Sequence, residues 1–265
     1  MIPNILSIAG SDPSGGAGIQ ADIKAISANG GYAMAAITGL TAQNTQGVHG
    51  VALTDPGMVD DQIAVIRADI RIDAIKIGML GSAPIVAAVA EALEGLAAPV
   101  VLDPVMVAKG GDRLLEPQAV AALRERLLPM AAVITPNLPE AADLLGAAAA
   151  ASSREIETQA GALLALGPRA VLLKGGHLDG AESPDLIVTA DGAQWLEGPR
   201  YATHNTHGTG CTLSSALATQ MGFGLPLPEA ARRAKDYTAA AIERSGDLQV
   251  GSGHGPVHHF HARQP

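Results

Sequence analysis

Short apolar runs alternate with helix-length patterns from one end of this chain to the other, and nothing else constrains its fold so strongly. Ile5 to Ala9 precedes Ile19 to Ala28, Ile75 to Ile77 precedes Ile85 to Leu96, and Val100 to Leu102 precedes Ala119 to Leu128. Repeated strand–helix units return as parallel neighbours, so the pattern predicts an α/β fold: a mostly parallel central sheet flanked by helices on both faces. Tyr32 to Ile37, Ala132 to Ile134, Val171 to Leu173 and Leu186 to Thr189 supply further strands. Pro56 to Ala68, Glu140 to Leu145, Ile156 to Leu166, Cys211 to Met221 and Glu229 to Arg244 supply further helices. The chain is 48% apolar but only 2% aromatic, so Ala, Val, Leu and Ile must fill the core, as suits strands covered on both faces. At 265 residues, with no repeat or low-complexity linker, one domain over 1–265 without a separate lid domain is expected.

Charge narrows the partners. A net charge of −9 argues against nucleic acid and against anionic membrane surfaces, both of which are bound through clustered Lys and Arg. The single cysteine, Cys211, makes no internal disulfide, which is consistent with a reducing, cytoplasmic setting. Met1 to Gly10 lacks a basic flank and reads as a first strand rather than a signal peptide, and no apolar window is long enough to span a bilayer.

Open α/β sheets bind ligands beyond the carboxyl ends of their strands. This chain places glycine or a functional side chain at five such ends: Gly10-Ser11-Asp12, Gly78-Met79, Asp103, Thr135-Pro136-Asn137 and Lys174-Gly175-Gly176. Each alone is also an ordinary turn former; five together point to a site. Thr206-His207-Gly208-Thr209-Gly210-Cys211-Thr212 runs from a loop into a helical pattern, where glycines let successive amides turn onto one small volume and the helix N-terminus adds partial positive charge. It reads as an anion hole, with a plain helix start as the alternative. At that position a thiol pKa tends to fall, making Cys211 a candidate base.

The loop Ser11 to Gly18 is rich in glycine but has neither dinucleotide nor P-loop spacing, which favours a small-molecule substrate loop. Asp22, one helical turn beyond, either points back at that pocket or is a solvated helix carboxylate. Gln43, within Thr41 to Gln46, carries a donor and an acceptor that complement a ring nitrogen beside an amino group; a surface loop is the alternative. Asn137-Leu138-Pro139-Glu140 matches a capping box, and Glu140 with Asp103 also suits Mg²⁺. Lys174 suits a nucleotide phosphate or a snorkelling strand end. The tail from Gly253 to His261 holds His254, His258, His259 and His261, and structural docking is expected there rather than metal binding.

These motifs, from Ile8 to Asp22, Ala42 to Thr45, Lys76 to Leu80, Leu102 to Met106, Thr135 to Glu140, Lys174 to His177 and Asn205 to Cys211, resemble the hydroxymethylpyrimidine/phosphomethylpyrimidine kinases of thiamine biosynthesis, which are ribokinase-like. The resemblance spans nearly the whole chain. It implies that Gly10, Asp22, Gln43, Met79 and Val105 contact a pyrimidine and that Gly208, Thr209 and Gly210 surround the transferring phosphoryl group. It also implies that Lys174, Asn137 and Thr209 serve ATP, that Asp103 and Glu140 serve Mg²⁺, and that the enzyme is a homodimer. Cys211, as thiolate, would then accept the hydroxyl proton in the first of two phosphorylations. A pyridoxal kinase, a non-catalytic pyrimidine or nucleotide sensor, and a cysteine hydrolase using Cys211 and His207 are the rivals. Closure through the loop Ala108 to Arg113 is expected.

Overall fold

The computed structural model describes residues 1–106, 115–176, 180 and 182–262, so the expected closing loop Ala108 to Arg113, like His177, lies outside the described residues. Strand β1 (Asn4–Ala9) leads through the glycine loop into α1 (Gly18–Ala28), and β2 (Tyr32–Ile37) runs on into a hairpin of β3 (Gly39–Asn44) and β4 (Gly47–Leu53). There follow α2 (Pro56–Asp69), β5 (Ala74–Ile77), α3 (Ala83–Leu93), β6 (Val100–Leu102) and α4 (Pro117–Ala122). The second half comprises β7 (Val133–Ile134), α5 (Leu138–Leu145), α6 (Ser153–Leu164), β8 (Ala170–Lys174), β9 (Asp185–Thr189), β10 (Gly192–Leu196), α7 (Thr209–Gly222) and α8 (Leu227–Glu243).

One eight-stranded sheet, ordered β10-β9-β8-β7-β6-β5-β1-β2, carries the fold. Its strands are parallel from β2 through β8, and β9 and β10 turn antiparallel at the far edge. Period-two side-chain alternation divides the core. Leu6, Ile8, Ile75, Ile77, Leu102, Val171 and Leu173 pack towards α2 to α6, while Ile5, Ala74, Val101, Val133, Ala170 and Leu172 pack towards α7 and α8. Helix α7 is buried without interruption from Thr212 to Gln220 because it lies between the sheet, α1 and α8, and small side chains such as Ser214, Ser215, Ala216 and Ala218 make that close fit possible. The chain runs outward from β1 to β2 and then crosses to β5, so the crevice between the ends of β1 and β5 is the switch point at which such sheets take ligands.

Two elements were not expected from the sequence. The polar cluster Thr41 to Gln46 is strand β3 plus the turn of the hairpin, a two-stranded sheet apart from the main one, and β10 is a short, mostly exposed edge strand. Neither has the apolar alternation that marks a buried strand.

The strand residue between Ile75 and Ile77 is Lys76, fully buried beneath α1 and α7. Its ammonium lies 2.9 Å from Asp22, whose carboxylate also accepts from Ser7 Oγ at 2.6 Å and Ser215 Oγ at 2.8 Å. Removing one partner of a buried ion pair leaves an uncompensated charge, so Lys76→Met is expected to cost about 3–5 kcal/mol. Lys76→Met with Asp22→Asn, which keeps the serine hydrogen bonds without the charge, is expected to recover at least half of that in urea unfolding.

Candidate active site

Two glycine loops interlock beyond the sheet. Asp12 closes the first on itself, accepting from Ser14 N at 2.9 Å, Ser14 Oγ at 2.7 Å and Ala17 N at 2.8 Å. Gly208 stands just ahead of α7 in the left-handed region at φ +77°, and a methyl group on it would overlap the carbonyl oxygen of Gly16. Only glycine satisfies both demands. Behind Gly208 the helix starts tightly, with Thr209 Oγ1 donating to Thr206 O at 2.8 Å and Thr212 N to Gly208 O at 2.9 Å. The amides of Gly210 and Cys211 fall in the first turn, where no helical acceptor exists for them. The start of α7 thus presents two amides without helical acceptors beside the first glycine loop.

A charge cluster borders it. Lys174 Nζ lies 2.9 Å from Asp103 Oδ1 and 3.9 Å from Glu140 Oε2. A methyl group at Gly210 would sit 3.3 Å from Lys174 Nζ and 3.4 Å from Asp103 Oδ2, so anion hole and cluster share one wall. Asp103 also accepts from Thr135 Oγ1 at 3.0 Å; burial opposes its charge, but Lys174 and Lys76 hold it below the usual carboxylate range. Glu140 is pushed up to about 7 by burial and by Asp103, against Lys174 and the amides of Asn137 and Met106. Burial likewise opposes the charge of Lys174, and Asp103 and Glu140 outweigh it. The capping box is present as read: Asn137 N donates to Glu140 Oε2 and Glu140 N to Asn137 Oδ1, both at 2.8 Å. The structural reading of Glu140 holds, and the cap fixes the carboxylate that faces Lys174. Two buried carboxylates, Asp103 and Glu140, the first of which raises the pKa of the second, form a donor set that fits a divalent cation shared with phosphate oxygens.

Cys211 corrects one expectation. Its thiol is not lowered by the helix N-terminus: burial pushes it up to about 11, Asp22 and Asp103 add to that, and Lys76 and the Gly18 amide oppose it. Desolvation outweighs the helix dipole here, and the resting site holds a thiol. Asp22 is buried in the core, where Oδ2 accepts from Ser7 and Lys76 and Oδ1 accepts from Ser215.

Gly10, Met79, Val105 and Gln43 lie as follows. Gly10 lies against Met79, whose Sδ would stand 3.3 Å from a methyl group at Gly10, and Met79 O accepts from Thr38 Oγ1 at 2.6 Å. Val105 follows Asp103 at the end of β6, half-buried. Gln43 reaches in from the hairpin, its Nε2 3.5 Å from His207 Nε2, which in turn lies 2.7 Å from Asp12 Oδ2. Sequence reasoning did not pair Asp12 with His207 because 195 residues separate them. That pairing also removes the cysteine–histidine dyad: His207 is committed to Asp12, and Cys211 accepts from the Gly18 amide.

The tail docks as expected. His207 N donates to Gly255 O at 3.0 Å, His254 N to Thr45 O at 2.8 Å, and His259 Nε2 lies 3.1 Å from Thr212 Oγ1. Burial pushes His259 down to about 4, so it is neutral, and among the described residues no three His, Cys, Asp or Glu gather as metal ligands.

A family model described as phosphomethylpyrimidine kinase matches residues 12–258. The chain is 53% identical over 260 residues to the hydroxymethylpyrimidine/phosphomethylpyrimidine kinase of Escherichia coli (strain K12), covering 98% of each. Among solved structures, phosphomethylpyrimidine kinase from Clostridium difficile 630 matches 91% of this chain and 99% of its own at 40% identity and TM-score 0.80. The pyridoxal kinase from Staphylococcus aureus in complex with ADP matches 100% and 96% at 33% identity and TM-score 0.92. With its ribokinase-like α/β fold, its interlocked glycine loops and these relatives, the chain belongs to the phosphomethylpyrimidine kinase family.

Proposed function

We propose that this chain uses ATP to phosphorylate 4-amino-5-hydroxymethyl-2-methylpyrimidine and then its monophosphate, giving the diphosphate used in thiamine biosynthesis. The observation that carries this reading is the shared wall between the anion hole at Gly208, Thr209 and Gly210 and the Lys174–Asp103–Glu140 cluster. Backbone amides on one side and an ammonium on the other suit a phosphoryl group that carries its charge on peripheral oxygens in transit. Lys174, Thr209 and the free amide nitrogen of Asn137 face the nucleotide phosphates. Asp103 and Glu140 would hold Mg²⁺, which when bound supplies charge screening for those phosphates. Gly10, Met79, Val105 and Gln43 line the pyrimidine side, with Gln43 reading its polar edge.

In the first step the hydroxymethyl oxygen attacks the γ-phosphorus in line, the bond to the β–γ bridging oxygen breaks, ADP leaves, and the hydroxyl proton passes to Cys211 in the minor fraction of enzyme that has already released the thiol proton to solvent. In the second step the acceptor is a phosphate oxygen, already anionic, and needs no base. The 265 residues act as one kinase domain. Among the described residues no helix is long and apolar enough to cross a membrane, and we place the enzyme in the cytoplasm. Exposed Leu40, Val51 and Leu53 on the hairpin support a homodimer.

Three outcomes test this reading. Mass spectrometry after incubation with Mg-ATP is expected to show mono- and diphosphorylated pyrimidine, with pyridoxal, in a parallel tube, turned over less efficiently; phosphopyridoxal alone would move the substrate to the vitamin B6 branch, and binding without ADP release would make the chain a sensor. Because Cys211 stays protonated up to about 11, its thiolate fraction rises tenfold per pH unit through the neutral range, and the first phosphorylation should accelerate with it. Cys211→Ala is expected to flatten that profile and slow the first step by about 10²-fold while largely sparing the second; equal losses would remove the base assignment. Gly208→Ala, strained by about 1–2 kcal/mol and overlapping Gly16, should instead depress both steps alike in kcat, by about 10²–10³-fold.

A further inference from the structure

Beside the substrate loop, two contacts of the Gln43 amide pair like with like. Its Nε2 lies 3.5 Å from His207 Nε2, and its Oε1 lies 3.2 Å from Thr41 Oγ1. The chemistry of the neighbours decides whether that arrangement can stand. Asp12 is ionised: burial opposes its charge, but His207, Ser14 and the Ala17 amide hold it below the usual carboxylate range. A carboxylate oxygen 2.7 Å from His207 Nε2 requires a proton on that nitrogen, so Nε2 cannot also accept one from an amide. On the other side, the Thr41 hydroxyl has one proton and a carbonyl oxygen, that of Ser11, at 2.8 Å to receive it. Thr41 Oγ1 then presents only lone pairs to Gln43.

Turning the amide by 180° about its Cγ–Cδ bond keeps its shape and repairs both contacts at once. Oε1 accepts from His207 Nε2–H, which it shares with Asp12, and Nε2 donates to Thr41 Oγ1. We propose that His207, oriented by Asp12 and assisted by Thr41, fixes which end of the Gln43 amide accepts and which donates, and so positions Gln43 to favour an aminopyrimidine over a pyridine alcohol. The amide's second lone pair and second proton are then offered to the substrate in one fixed order. A ring nitrogen beside an amino group meets both; a pyridine alcohol, which has no amino donor, leaves the acceptor unpaired. An amide free to turn loses that discrimination, because either orientation can adapt to the ligand.

This inference rests on the reading that Gln43 contacts the substrate ring, and four variants of the full chain separate the two claims. Steady-state kcat/KM is measured with Mg-ATP for 4-amino-5-hydroxymethyl-2-methylpyrimidine and for pyridoxal. His207→Leu is expected to lower kcat/KM for the pyrimidine about tenfold, through KM, to change pyridoxal by less than about twofold, and to leave the KM for ATP unchanged. His207→Gln carries an amide nitrogen to the place of ring Nε2, donates to both Asp12 and Gln43, and should restore most of the substrate ratio. Thr41→Val removes the acceptor at the other end and should shift the ratio in the same direction by about threefold, which decides the matter if His207→Leu fails to fold. Gln43→Ala is the control. If it collapses the ratio while His207→Leu and Thr41→Val leave the ratio intact or lower both substrates equally, the positioning role is overturned and the Gln43 contact stands. If Gln43→Ala itself leaves the ratio unchanged, the contact fails and the positioning role fails with it.

Discussion

The site depends on one close approach, that of Gly208 to the carbonyl of Gly16. It brings the loop after β1 and the start of α7 nearer than any residue with a side chain would allow. Because α7 is buried along most of its length against the sheet and α1, its first turn has no freedom to drift, and the amides of Gly210 and Cys211 are aimed before any anion arrives. Preorganisation of this kind stabilises charge in transfer without a reorganisation cost at the moment of reaction. The glycines are thus a geometric requirement of two packed elements as much as a phosphate motif.

Beneath that interlock lie two buried ion clusters with different tasks. Lys76 and Asp22 pair with each other in the core, and Ser7 and Ser215 donate to the carboxylate. Lys174, Asp103 and Glu140 are unbalanced, with one cation between two carboxylates, and burial together with Asp103 pushes Glu140 up to about 7. An unbalanced cluster at strand ends is suited to exchange its partners for phosphate oxygens and a cation, whereas a balanced one in the core holds helix and strand together. The same field explains Cys211. Desolvation and two nearby carboxylates keep its proton on, so only its minor thiolate form is able to act as a base.

Overall likeness does not choose the substrate. Pyridoxal kinase from Staphylococcus aureus superposes at TM-score 0.92 with 33% identity, while the phosphomethylpyrimidine kinase from Clostridium difficile superposes at 0.80 with 40%. On the proposed reading, the sheet, the anion hole and the charge cluster would serve phosphoryl transfer to any alcohol held in line, and discrimination would fall to the polar atoms of the hairpin and the first glycine loop. The hairpin is held over the crevice by the tail, through His254 N on Thr45 O and Gln46 Nε2 on Ser252 Oγ.

The sequence by itself determined the parallel sheet, because short apolar runs and the helix-length patterns that follow them are local properties of Ile5 to Ala9, Ile75 to Ile77 and their neighbours. It also determined the capping box at Asn137 and Glu140 and the glycine turn at Gly208, since each is satisfied within a few residues. Strand ends were legible too, and with them the gathering of Asp103, Glu140 and Lys174 on one edge. Only the tertiary structure decided the fates of Asp22 and Cys211, because a carboxylate's partners and a thiol's solvation come from elements far away in the chain. The β3–β4 hairpin escaped for the opposite reason: half-exposed, with no buried face, it carries no apolar pattern to read. The Asp12–His207 contact joins the first loop to the loop ahead of α7 across 195 residues, and no local pattern encodes a distance that the whole fold must close.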